Sequence, residues 1–128
     1  MTIRIVRLGS PRLPDEGTRI GAVRRLPRGV RKERYAADDW FDVWYPELSP
    51  CADLVAKARG AETDEDWADF VRAFRKEMEE PAARRTLDLL AALSKGARFS
   101  LGCYCETEVR CHRSILRALL EERGADIA

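Results

Sequence analysis

The sequence has no asparagine, no glutamine and a single histidine, His112, in 128 residues. Without asparagine there is no N-glycosylation acceptor, no Cys-His-Asn triad and no asparagine amide to hold an oxyanion. With one imidazole per chain, a site that needs two must be built from more than one copy. No run approaches 18 apolar residues, so no membrane-spanning helix is expected. The stretch 1–12 lacks an apolar segment of the kind a secretory signal carries. The expected location is therefore the cytoplasm, where cysteines serve as reduced thiols or metal ligands more often than as disulfides.

What is present is a soluble composition, 45% hydrophobic and 35% charged, at a length suited to one domain over 1–128. Net charge is only +1, but its distribution is uneven. Residues 1–34 carry nine arginines and one lysine against Asp15, Glu16 and Glu33; residues 35–97 carry eight basic and fourteen acidic groups; residues 98–128 carry five of each. A basic first third can meet an anion, or it can simply pack beside the acidic middle.

Periodicity places the elements. Ile3-Arg4-Ile5-Val6-Arg7-Leu8 reads as a strand ending at Gly9-Ser10-Pro11, and Arg19 to Arg24 as a weaker second strand running into the basic turn Arg25-Leu26-Pro27-Arg28-Gly29. Ser49-Pro50 predicts a helix start, with the helix running to Ala58. Thr63 is expected to cap a longer helix whose inward stripe is Trp67, Phe70, Val71, Phe74 and Met78. Pro81 opens a third helix with Leu87, Leu90 and Leu93 inward. Arg98 to Cys103 alternates as a strand, and a last helix from about Arg110 or Cys111 to Arg123 precedes Gly124 and a short terminal strand at Ala125-Asp126-Ile127. The pattern predicts an α/β fold: a single small layered domain, mostly parallel sheet flanked by helices.

Three of the four cysteines and the histidine lie between Cys103 and His112, where a strand ends and a helix begins, the favoured ligand position in open α/β sheets. Arg110, His112 and Arg113 crowd the first helical turn, although the helix dipole disfavours cations there by about 0.3–1 kcal/mol each. A bound phosphate or carboxylate would resolve that conflict, and Glu106 and Glu108 could also neutralise it locally. Cys111 at a helix start beside arginines is placed for a lowered thiol pKa, although neighbouring helical side chains diverge by about 100°, which separates it from His112. Cys103 can equally be a small core residue. Cys103, Cys105, Cys111 and His112 are four ligands of the types zinc takes, in a C-x-C-x5-C-H order unlike paired knuckles. Cys51 stands alone at the second position of the helix predicted to start at Ser49-Pro50.

Cys103 followed by Cys111-His112-Arg113 and Ser114-Ile115-Leu116, with Pro27-Arg28-Gly29-Val30, Lys32, Trp40 and Leu48-Ser49-Pro50 upstream, resembles the YeaO-like family, domain of unknown function 488. Leu26 stands where the family carries a tryptophan, and Cys105 where many members carry an acidic residue. The resemblance implies a compact α/β fold in a bacterial or archaeal cytosolic protein, and it points to a site rather than to a reaction.

The expected site joins the Pro27-Arg28-Gly29 loop to the Cys111-His112-Arg113 helix start. Arg28 and Arg113, with Gly29 and Ser114, would hold a phosphate-bearing small molecule or nucleotide; His112 would do acid/base work, and Cys103 or Cys111 would supply a thiolate. Two alternatives stand beside it: a zinc or thiol-redox site without catalysis on Cys103, Cys105, Cys111 and His112, and a nucleic-acid-binding surface on the basic first third.

Overall fold

The protein's computed structural model describes residues 2–128. Its centre is an all-parallel sheet of β1 (Ile3–Arg7), β2 (Thr18–Gly21), β3 (Val43–Trp44) and β4 (Phe99–Cys103), ordered β1-β4-β2-β3. Four helices accompany it: α1 (Ala52–Arg59), α2 (Asp64–Glu77), α3 (Pro81–Leu93) and α4 (His112–Glu122). This is the small α/β architecture that the periodicity predicts. All five residues of the inner strand β4 are buried, as a parallel strand covered on both faces requires.

The two sheet faces differ in chemistry. One carries Ile3, Phe99 and Leu101, which join Phe70 and Phe74 of α2, Leu87 of α3, and Leu116 and Leu120 of α4 in the main core. The capping box of Thr63 and Asp66 fixes the start of α2 and so the register of its aromatic stripe. The other face carries Arg19 and Ser100, paired in register, and Gly21 and Gly102, also paired. A Cβ at Gly21 would lie 2.5 Å from Phe41, and one at Gly102 would lie 2.4 Å from Leu8. These glycines let the loops after β1 and before β3 press onto the sheet.

Buried on that second face is an ion pair. Arg19 Nε and Nη2 donate to Glu16 at 2.7 and 2.9 Å, and the Ser100 hydroxyl donates to the same carboxylate at 2.7 Å. The loop that carries Glu16 turns at Gly17, whose φ is +76° and whose Cβ, if present, would lie 2.0 Å from the Arg98 carbonyl oxygen. Gly17→Ala should cost more than the roughly 1–2 kcal/mol of the left-handed conformation alone, because that carbonyl is backbone and cannot rotate away. Urea unfolding of the variant measures it.

Several expectations need correction. α1 is capped by Cys51, not Ser49. Residues 49–51 are held extended by tertiary bonds: Arg24 donates to the Ser49 and Pro50 carbonyls, and the Cys51 N–H donates to Glu77. Leu93 is exposed, because the inward position after Leu87, Leu90 and Ala91 falls to Ser94, which is fully buried and hydrogen-bonded to Ala91 and Asp126. β2 ends at Gly21 rather than Arg24, since the next two carbonyls turn to side chains: Ala22 to His112 and Val23 to the Trp44 indole. The terminal strand is a single bridge between Ile127 and Ile3. β3 has only two residues, too few for alternation to reveal.

Candidate functional site

β4 ends at Cys103, and α4 begins at His112. The loop between them returns its thiols to the end of the strand. Cys111 has an extended backbone, φ −129° and ψ 148°, and caps α4 with its sulfur, which accepts the Arg113 N–H at 3.5 Å. The divergence expected of neighbouring helical side chains therefore does not apply. His112 Nδ1 lies 3.9 Å from Cys111 Sγ.

The imidazole is held in one tautomer. Nε2 is 2.6 Å from the Ala22 carbonyl oxygen, which can only accept, so Nε2 carries the proton and Nδ1 presents a lone pair. The ring is buried and stands edge-on to Phe74 at 5.7 Å. Burial pushes its pKa below the ordinary histidine value, outweighing the raising effect of the Ala22 carbonyl. A neutral imidazole with Nδ1 free can take a proton from a thiol or bind a metal.

Cys103 Sγ and Cys105 Sγ are 3.8 Å apart. The sulfur-to-sulfur hydrogen bonds, first from Cys103 and then from Cys111, pull the Cys105 thiol far down, with His112 and Arg113 adding to the fall. Cys103 is pushed up by its bond to Cys105, by Cys111 and by burial. Cys111 rises because its bond to Cys105 and its burial outweigh the lowering effect of Cys103. The lowered thiol pKa expected of Cys111 beside its arginines thus falls to the exposed, loop-borne Cys105 instead. Cys105, which occupies a position where the family resemblance points to an acidic residue, belongs to the cluster. Sulfur and nitrogen donors of Cys103, Cys111 and His112 all lie within 4.8 Å of one another, so these residues could hold a metal ion.

Arg113 is buried and turns inward. Its Nε lies 3.4 Å from Cys111 Sγ and its Nη2 donates to the Cys105 carbonyl at 2.8 Å. Ser114 Oγ donates back to the Cys111 carbonyl at 2.8 Å. Gly29 sits in a turn at φ +69° with nothing within 4 Å of its absent Cβ. Arg110 lies outside α4 and pairs with Asp64 at the start of α2.

Two cavities open beside this cluster. One, about 320 Å³, is lined by Cys103, Cys105, Cys111 and His112 together with Pro50, Val55 and Phe70. The other, about 740 Å³, lies past the carboxyl end of β1 and is lined by Arg7, Arg25, Arg28 and Arg59, the Gly9-Ser10-Pro11 turn, Trp40 and Tyr104. Arg25, Arg59 and Tyr104 line both. Tyr104 is anchored by donating to the Arg25 carbonyl at 2.7 Å, and its ring meets Trp40 edge-on at 5.8 Å.

The arrangement brings Arg28 to the arginine cavity and the thiols and His112 to its neighbour, while Arg113 lines neither. Among the described residues, Arg25, Arg28 and Arg59 form no carboxylate ion pair within 4.0 Å, and Arg7 reaches only the exposed Glu106 at 3.9 Å. Arg7, Arg25, Arg59, Trp40 and Tyr104 line these cavities, and sequence reasoning did not name them as candidate site residues. The excess of arginine in residues 1–34 was a signal for the first two. Nothing local marked Arg59, at the end of α1.

A family model described as "DUF488-N3a: Active DUF488-N3 subclade" matches residues 3–124, nearly the whole chain. No curated protein and no solved structure matches the chain. Among the described residues no helix is long and apolar enough to cross a membrane.

Proposed function

The chain belongs to the DUF488 family, and from that premise we propose that it binds a nucleotide or similar phosphate-bearing small molecule between its arginines and presents it to the Cys111–His112 pair. One observation carries this reading: the arginine cavity and the thiol–imidazole cavity share Arg25, Arg59 and Tyr104 as a common wall. Guanidinium groups without carboxylate partners are suited to phosphate, which they bind through paired N–H donors. Trp40 and Tyr104 offer aromatic faces for a base or sugar. At the other end, His112 Nδ1 lies 3.9 Å from Cys111 Sγ and can take its proton as general base while the sulfur attacks, since the raised Cys111 pKa keeps that thiol protonated at rest. The description of the subclade as active agrees with a site that does chemistry.

Arg28 carries over from sequence to this proposal; Arg113 now acts by positioning Cys111 and the Cys105 loop. Titration calorimetry with a nucleoside monophosphate, a nucleoside diphosphate and inorganic pyrophosphate tests the reading. Arg28→Ala should weaken binding by about 10-fold, the low end for a charge-assisted hydrogen bond, with unfolding unchanged. Equal affinity in wild type and variant, or no binding by any of the three, would count against it. Binding of single-stranded nucleic acid alone, falling steeply with salt, would favour the nucleic-acid surface instead.

A further inference from the structure

We propose that Cys103, Cys111 and His112 Nδ1 form a zinc site at the inner end of the thiol cavity, with Cys105 joining them from the loop. This goes beyond the ligand-binding reading and replaces its thiol step: with zinc bound, Cys111 Sγ and His112 Nδ1 serve as ligands rather than as nucleophile and base, while the arginine cavity is unaffected.

Spacing is the first ground. Tetrahedral zinc with bonds of about 2.3 Å to sulfur and about 2.0 Å to nitrogen sets sulfur–sulfur edges near 3.8 Å and sulfur–nitrogen edges near 3.5 Å. Cys103 and Cys105 Sγ are 3.8 Å apart, and Cys111 Sγ lies 3.9 Å from His112 Nδ1. The donors of Cys103, Cys111 and His112 already lie within 4.8 Å of one another, and Cys105 approaches the group through Cys103.

Outer contacts are the second ground. Metal-bound histidines usually donate their other ring N–H to a carbonyl or carboxylate, and Nε2 donates to the Ala22 carbonyl here. The backbone N–H and the Nε of Arg113 both point at Cys111 Sγ, as donors to a metal-bound thiolate do.

Charge is the third. Arg113 is 4% exposed and, among the described residues, has no carboxylate ion pair within 4.0 Å. A buried guanidinium needs compensation. Three thiolates, one Zn²⁺ and Arg113 sum to zero. Zinc binding releases the thiol protons to solvent, and no redox step is involved. Cys103, Cys111 and His112 supply the buried ligands; exposed Cys105 supplies the fourth from the loop, where it faces the cavity.

The test is metal analysis of the full chain purified under reducing conditions, followed by Co²⁺ titration of metal-free protein. One equivalent of zinc is expected, and Co²⁺ should give intense visible bands of tetrahedral geometry with thiolate charge transfer in the near ultraviolet. Cys111→Ser should lower Co²⁺ affinity by more than about 100-fold. Cys105→Ser, an exposed loop change that leaves the core intact, should retain the metal with reduced charge-transfer intensity. Cys51→Ser should change nothing. Four freely titrating thiols with no zinc, or a cobalt spectrum unaltered by both Cys105→Ser and Cys111→Ser, would overturn the proposal. Nucleotide affinity of the metal-free protein reports on the arginine cavity separately.

Discussion

Arg19→Met is expected to lower stability by roughly 3–5 kcal/mol, the range for removing one partner of a buried ion pair. Arg19 is fully buried, and Glu16 is 2% exposed. Without the guanidinium, the carboxylate keeps only the Ser100 hydroxyl and the Leu13 N–H. A loss of that size is a large share of the roughly 5–15 kcal/mol that holds a typical domain together. Urea unfolding at neutral pH measures it. Adding Glu16→Leu should recover part of the loss, because it removes the stranded charge.

The same pair makes stability depend on pH. Burial pushes the Glu16 carboxyl up, but the Arg19 and Ser100 hydrogen bonds outweigh it and hold the pKa below the ordinary glutamate value. A group lowered in the folded state contributes stability above its unfolded pKa, and that contribution is lost as pH falls through the folded value. Wild type should therefore lose stability with acidification below the usual glutamate range. A double variant without the pair should lose less. Arg19 also donates to the Ser10 and Asp39 carbonyls at 2.8 and 2.7 Å. Those loops flank the arginine cavity at Ser10 and Trp40, so Arg19→Met should weaken nucleotide binding as well.

The second large effect concerns the shared wall. Arg25→Ala combined with Arg59→Ala should weaken binding of a nucleoside phosphate by about 10²–10⁴-fold, with little change in stability. Each charge-assisted hydrogen bond is worth roughly 1.5–3 kcal/mol, or about 10–100-fold. Neither side chain has a carboxylate partner within 4.0 Å among the described residues, so their removal strands no buried charge. The Tyr104 anchor uses the Arg25 carbonyl and survives substitution of the side chain. Two residues on one ligand need not act additively, and the single variants separate their shares. Calorimetry gives affinities, and a matching thermal melt shows that the fold is intact.

Much of this arrangement is legible in the chain because it depends on local rules. The Thr63 capping box, the stripe from Trp67 to Met78 and the Gly124 stop at φ +76° follow from spacing and backbone preference alone. The Cys103-to-His112 segment is legible as a site because its residue types are rare elsewhere in the sequence. Where tertiary contacts decide, the sequence is silent. Nothing near Ser49 shows that Arg24 and Glu77 hold residues 49–51 extended. Nothing near Arg113 shows that its guanidinium turns inward to Cys111 rather than outward to a ligand. Arg59 reaches the site only because α1 ends beside Tyr104, which brings residues 45 positions apart to one wall.

A crystal structure with a bound nucleoside monophosphate is the most direct measurement of whether the two cavities act as one site. A single site predicts the phosphate within hydrogen-bond distance of the Arg25 and Arg59 guanidinium groups, with the rest of the molecule over Tyr104 toward Cys111 and His112. A nucleotide bound elsewhere, with Arg25 and Arg59 untouched and the thiol cavity out of reach of the ligand, would contradict it.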